Sequence, residues 1–334
     1  MIFNLSKYLF LVMLISGSLM TLSANNWLGM WLGMEINLMS FIPFISKSKN
    51  KNSSQAMMIY FLIQSLGSII LLFSVTMNPM IMIKFNLESE LMQNLTMISL
   101  VIKLGGAPFH WWVPMMMSNM NWSECFWLMT WQKMAPLTVM NNLEIKSEVL
   151  YTIVILSGLI GSIGGINQVS LRKLLAYSSI NHLSWMMMFM SMSTMWYKYL
   201  MLYSMLMMLI CYMLNHKNVY FINQMSTTSA SLIEKYIFIS LMLSIGGLPP
   251  FIGFLPKWMV IQMMINSKLF ILLVIMLLMS LMVLFYYMRM LIFYILSFST
   301  MNKWLVFKSK NNTLMYSIIV INFILPLFNC LNFF

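Results

Sequence analysis

The sequence predicts an all-α polytopic membrane protein of about eleven transmembrane helices, built as two inverted five-helix repeats, each with a broken fourth helix. Three observations carry this reading. The 334 residues are 61% hydrophobic and 8% charged, with mean hydropathy +0.84, whereas a soluble globular chain is nearer a quarter charged. Residues 8–34, 52–83, 149–171, 174–197 and 311–334 contain no Asp, Glu, Lys or Arg, and apolar runs of about eighteen or more read as spanning helices. Two further apolar segments are interrupted by Gly-Gly and Pro at corresponding places.

Spans fall at about 3–22, 27–45, 56–76, 92–117, 124–141, 149–166, 171–193, 197–215, 236–265, 269–289 and 313–332. The first apolar run, about 27 residues, is too long for a signal-peptide core and lacks an Ala-x-Ala cleavage site, so it reads as a true span. Polar loops separate the spans: KSKNKNSS at 47–54, LEIKSE at 143–148, NQVSLRK at 167–173 and NKWLVFKSKNN at 302–312. An odd number of spans puts the termini on opposite faces. The N-terminal face then receives Lys7, Lys47, Lys49, Lys51, Arg172, Lys173, Lys217, Lys235, Arg289, Lys303, Lys308 and Lys310. The other face receives Lys84, Lys146, Lys198 and Lys268. Twelve against four is a positive-inside bias, which directs the N-terminus to the compartment where the chain is made. It also accounts for the net charge of +12 without a nucleic-acid partner. Arg289 reads as a snorkelling flank residue. Glu124, Glu144 and Glu148, at span ends or in loops, read as mostly solvated.

The fourth span contains Lys103-Leu-Gly-Gly-Ala-Pro-Phe-His110, and the ninth contains Gly246-Gly-Leu-Pro-Pro-Phe-Ile-Gly-Phe-Leu-Pro-Lys257. Proline removes a backbone donor and clashes with the preceding turn; glycine accepts dihedrals that other residues avoid. Breaks are expected at Gly105, Gly106 and Pro108, and at Gly246, Gly247, Pro249 and Pro250. Freed backbone groups at that depth are tolerable only inside protein or beside water. Spans one to five and six to ten each place the break fourth. Five is odd, so the second set is inverted relative to the first, the pattern of a transporter-like fold. The divisions are residues 1–145, 146–298, and 299–334 for the last loop and helix.

Glu35, Lys103, Lys133 and Lys257 lie near the middle of apolar spans. A charge at bilayer depth costs at least about 2.5–3.5 kcal/mol on insertion scales and marks a functional suspect. A lysine in water keeps its proton at neutral pH. Burial without a counter-charge disfavours the charged form, and an approaching carboxylate restores it. A Lys–Glu pair of variable separation is therefore a proton switch, with Glu35 and Lys103 as the pair and Lys133 and Lys257 as further stations. The alternative is that these charges only lock helices together, although one carboxylate cannot neutralise three lysines. His110, just past the first break, and His182, within Ser178-Ser-Ile-Asn-His-Leu-Ser184, are secondary relay candidates; His182 reads equally well as a satisfied contact between helices.

Other chemistries find little support. Cys125, Cys211 and Cys330 are scattered and form no CxxC pair, which argues against an iron–sulfur or zinc site. The chain has no aspartate. Its 43 methionines are spread over nearly every span, as apolar packing residues would be. Gly29/Gly33 and Gly161/Gly165 match GxxxG and predict close helix packing. The run from Gly158 to Gly165 lacks the strand and acidic residue of a dinucleotide site.

Five motifs together resemble the subunit 2 family of animal mitochondrial NADH:ubiquinone oxidoreductase, an antiporter-like proton-translocating component of respiratory complex I. They are Gly29-Met-Trp-Leu-Gly-Met-Glu35-Ile-Asn, Lys103-Leu-Gly-Gly-Ala-Pro-Phe-His, Thr130-Trp-Gln-Lys-Met-Ala-Pro, Ser170-Leu-Arg-Lys-Leu-Leu-Ala-Tyr-Ser-Ser-Ile-Asn-His and the ninth-span motif ending at Lys257. The short, Met-rich, Asp-free chain looks like an arthropod version. The resemblance implies that Glu35, Lys103, Lys133 and Lys257 form the family's central polar axis. It also implies the mitochondrial inner membrane with the N-terminus toward the matrix, and no cofactor or metal in this chain. FMN, iron–sulfur clusters and ubiquinone are then expected in other subunits, and structural phospholipids such as cardiolipin around the chain. Expected partners are other membrane-arm subunits, among them antiporter-like subunit 4 and the small core membrane subunits, with no nucleic acid. Two other readings stay open: a stand-alone multisubunit cation/proton antiporter, and a structural anchor that pumps nothing.

Overall fold

Residues 5–46, 51–85, 89–143, 147–227, 232–299 and 312–323 are described by the structure, a computed structural model. Lys47, Lys49, Lys146, Lys303, Lys308, Lys310, Glu144, Cys330 and the end of the eleventh expected span lie outside them. The described residues form fifteen helices, and among them the one β feature is an isolated Ser170–Phe221 bridge. The chain divides into two compact units, residues 1–156 and 157–334.

In unit 1, α1 (Leu5–Ser23) and α2 (Trp27–Ile45) pack closely. A Cβ on Gly17 would stand 2.9 Å from the Asn37 amide nitrogen, and Gly33 faces Thr21 as tightly. The small-residue contact is therefore Gly17 with Gly33; Gly29 meets only Ala24. α3 (Lys51–Phe85) lies along α4 (Ser89–Leu104), and α5 (Trp112–Asn119) follows after a gap.

The fifth expected span is not continuous. It splits at Thr130 into α6 (Trp122–Met129) and α7 (Trp131–Asn141). Thr130, at φ −113° and ψ −72°, turns its hydroxyl back to the Phe126 carbonyl at 2.7 Å. Glu124 also departs from expectation, being 2% exposed rather than solvated. It closes a capping box with Asn121 at the start of α6 and pairs with Lys7 at 3.8 Å, so its charge is held at a positive helix end.

The boundary falls within α8 (Ser147–Gly164); unit 2 contains its second part, then α9 (Leu171–Met192), α10 (Trp196–Lys217), the short α11 (Ile222–Thr227), α12 (Leu232–Gly246), α13 (Phe254–Asn266), α14 (Phe270–Ser299) and α15 (Asn312–Asn322). Gly158, Gly161, Gly164 and Gly165 press against Met279, Asn181, Tyr177 and Tyr286, leaving no room for side chains. α9 is buried almost throughout. Arg289, on α14, donates to the Gln168 carbonyl at 2.9 Å.

Among the described residues, four helices are long and apolar enough to cross a membrane: Trp27–Ile45, Lys51–Asn78, Trp196–Lys217 and Phe270–Leu296. Breaks account for the fourth, fifth and ninth of the eleven expected spans. The sixteen residues of α4 reach about 24 Å at the helical rise, short of the roughly 30 Å hydrocarbon core.

Candidate functional site

Both interrupted segments end their first half-helix in the same way. After α4, the Gly105 amide donates to Ile102 and the Gly106 amide to Val101. After α12, the Gly247 amide donates to Ser244 and the Leu248 amide to Leu243. This is the Schellman pattern, which needs a left-handed residue just past the helix. Gly105 at φ +72° and Gly247 at φ +82° supply it. Carbonyls freed by the stop are then claimed by side chains. Trp112 Nε1 donates to the Ile102 oxygen at 3.1 Å, and Gln64 Nε2 to the Lys103 oxygen at 3.0 Å. Lys257 Nζ donates to the Gly246 oxygen at 2.8 Å.

The stop also positions charge. Lys103 lies in the last turn of α4. Lys257, on α13, reaches back to the last residue of α12. The Lys257 ammonium thus stands at the negative end of α12, where exposed carbonyls favour a cation, and Lys103 is a last-turn residue of α4. Both lysines are buried, as is Lys133.

In unit 1, Lys103 Nζ stands 3.8 Å from Glu35 Oε1, with side-chain exposures of 3% and 21%. That is close enough for attraction and too far for a hydrogen bond. Lys103 and Lys133 line one cavity with about 30 Å³ of space open to water centres, room for one or two waters. Its polar wall is a row of amides and a phenol. Tyr60 donates to Gln132 Oε1 at 3.1 Å, and Gln132 Nε2 donates to Asn37 Oδ1 at 2.9 Å. Pro136, inside α7, cannot donate to the Gln132 carbonyl four residues back. Beside these polar groups, Met34, Leu104, Val113, Leu128 and Ala135 complete the lining.

His110 lies between the halves, its Nδ1 3.1 Å from the Pro108 carbonyl and its ring 5.3 Å from that of Trp111. In unit 2, His182 is buried mid-α9 with Nδ1 2.9 Å from the Tyr199 hydroxyl and its ring 4.9 Å from that of Tyr203. Among the described residues, no group of three or more His, Cys or Glu could hold a metal ion.

The family profile for NADH:quinone oxidoreductase/Mrp antiporter transmembrane subunits matches residues 24–283. The chain belongs to this family. It is similar to NADH-ubiquinone oxidoreductase chain 2 of Locusta migratoria, 38% identical over 96% of this chain and 94% of the relative. The Aedes aegypti protein of the same name is 43% identical over 96% and 95%. Among solved structures, a chain of respiratory complex I from Thermus thermophilus with bound aureothin superimposes with TM-score 0.81. That match has 20% identity over 95% of this chain and 76% of the other. A chain of the Mrp complex from Dietzia sp. DQ12-45-1b gives TM-score 0.74, at 14% identity over 84% and 59%. These two likenesses concern the fold alone.

For an antiporter-like subunit, the sequence reading missed the residues that build the cavity wall: Asn37, Tyr60, Gln64 and Gln132. Isolated polar residues on apolar spans were the available signal. Glu124 had a clearer one, because Asn-x-x-Glu before an apolar run is a helix-start signature.

Proposed function

We propose that this chain is a proton-translocating membrane subunit of NADH:ubiquinone oxidoreductase in the mitochondrial inner membrane, corresponding to its chain 2. The observation that carries this is the Glu35–Lys103 pair at 3.8 Å, whose lysine shares a water-sized cavity with Lys133. A small displacement of Glu35 tightens or loosens its hold on the Lys103 proton. Water in the cavity passes that proton to Lys133. Lys257 performs the same task at the break of unit 2, with His110 and His182 as relays. Moving one charge across the membrane costs about 2.3 kcal/mol per 100 mV, an amount that switching a buried ion pair can supply.

Electron transfer belongs to other subunits, and this chain works by charge and conformation. It crosses the membrane eleven times with its N-terminus in the matrix, as repeats 1–145 and 146–298 of opposite topology followed by 299–334. Its neighbours are other membrane-arm subunits, including antiporter-like subunit 4. Purification from native membranes tests this. The chain should co-purify with NADH-oxidising, ubiquinone-reducing activity in a large assembly. Recovery in a small complex with sodium-dependent proton exchange would favour the stand-alone antiporter instead.

A further inference from the structure

Tyr60, Gln64 and Gly67 recur at spacings of four and three along α3, which puts them on one face of the helix. That face is turned toward the end of α4. Tyr60 and Gln64 are buried and line the Lys103–Lys133 cavity. Gly67 lies against Lys103 itself. A Cβ there would stand 3.0 Å from Lys103 Cγ, 3.3 Å from the Ser99 carbonyl oxygen and 3.5 Å from Ile102 Cγ2.

Two contacts from α3 therefore bracket one lysine. Gln64 Nε2 holds its main chain, donating to the Lys103 carbonyl at 3.0 Å. Gly67 holds its stem, so closely that a single methyl group would displace it by a few tenths of an ångström. A buried carbonyl that loses its only donor is costly, so the first contact is specific as well as local. With main chain and Cγ held, only the bonds beyond Cγ are left to carry the ammonium. Unit 2 is built otherwise: Lys257 Nζ itself caps the freed Gly246 carbonyl at 2.8 Å. In unit 1 the neutral donors of Gln64 and Trp112 cap the carbonyls of Lys103 and Ile102. The Lys103 ammonium is left to face Glu35 at 3.8 Å.

We propose that Gln64 and Gly67 are positioning residues for Lys103. α3 grips this lysine at its carbonyl and at its stem, and so makes it the stationary half of the Glu35–Lys103 pair. Glu35, on α2 and with its side chain 21% exposed, is the half that moves. The inference rests on the proton-translocating reading above and adds what sets the separation of the pair.

The test uses the assembled complex in sealed vesicles, with Lys103→Met as the zero of this subunit's share of protons translocated per NADH. Gln64→Met keeps the length of the side chain and removes the donor. Gly67→Ala improves helix propensity and pushes on the Lys103 stem. Each should lower the subunit's share by about tenfold, the scale of a misplaced reacting group. Each should also move the pH of half-maximal pumping by about half a unit or more, the mark of an altered charge pair. A residue that only packs the helices would change the yield of complex and leave share and pH profile as they were. An unchanged share or an unmoved profile in either assembled variant therefore overturns the proposal. If Gln64→Met does not assemble, Gly67→Ala decides alone. Lys103→Met separates the two claims. If it pumps normally, the functional reading itself falls; if it does not, while Gln64→Met and Gly67→Ala pump normally, only the positioning role falls.

Discussion

Lys133→Met in the assembled complex abolishes the share of pumped protons carried by this subunit, while the complex still assembles. Lys133 is 5% exposed and sits on α7 just past the Thr130 break. Methionine fills nearly the same volume without a charge, and exchanging a buried charge for a fitted apolar group is often neutral for stability. Assembly and thermal midpoint should therefore stay near those of the native complex. Transfer through the site falls by about 100-fold, the contribution of one positioned proton carrier. The readout is protons translocated per NADH oxidised in sealed vesicles. Lys133→Arg separates charge from proton transfer: guanidinium keeps the charge and does not give up its proton. A lysine that only locks helices would be replaced adequately by Arg; a relay lysine would not. Normal pumping by either variant would remove Lys133 from the path.

Gly247→Ala should disrupt the second break, whereas Gly246→Ala, one residue earlier, should be tolerated. Gly247 has φ +82°, and a side chain in the left-handed region costs roughly 1–2 kcal/mol. Its Cβ would also strike the Lys257 side chain near the ammonium. Pushing Lys257 off the Gly246 carbonyl strands a buried donor, for about 1–3 kcal/mol more. Gly246 ends α12 in the helix, and its nearest neighbour for a Cβ is Leu284 at 3.7 Å. The measurement is the yield and thermal midpoint of the assembled complex for the two variants. Equal behaviour would mean that the left-handed turn does not hold Lys257 in place.

The helical class and the family were legible in the sequence because both are written in local pattern. Charge-free runs of spanning length admit few alternatives to membrane helices. The Gly, Pro, Lys and Glu motifs carry the family on residue type and spacing. What was not legible is what the fold assembles from distant places. Tyr60, Gln132 and Asn37 become one row only because α2, α3 and α7 meet. Glu124 reads as solvated from its place at a span end, yet Lys7 on α1 and its own capping box enclose it. The break at Thr130 carries no glycine. A threonine hydroxyl can close on the carbonyl four residues back in a helix or at its end, so it did not announce the stop.

An experimental map of the assembled complex that shows ordered water tests the central claim most directly. It should show one or two waters between Lys103 and Lys133, bonded to Gln132 or Tyr60, with the Glu35–Lys103 separation differing between resting and turnover states. A dry cavity, with Lys103 in direct contact with Glu35 in every state, would contradict the account.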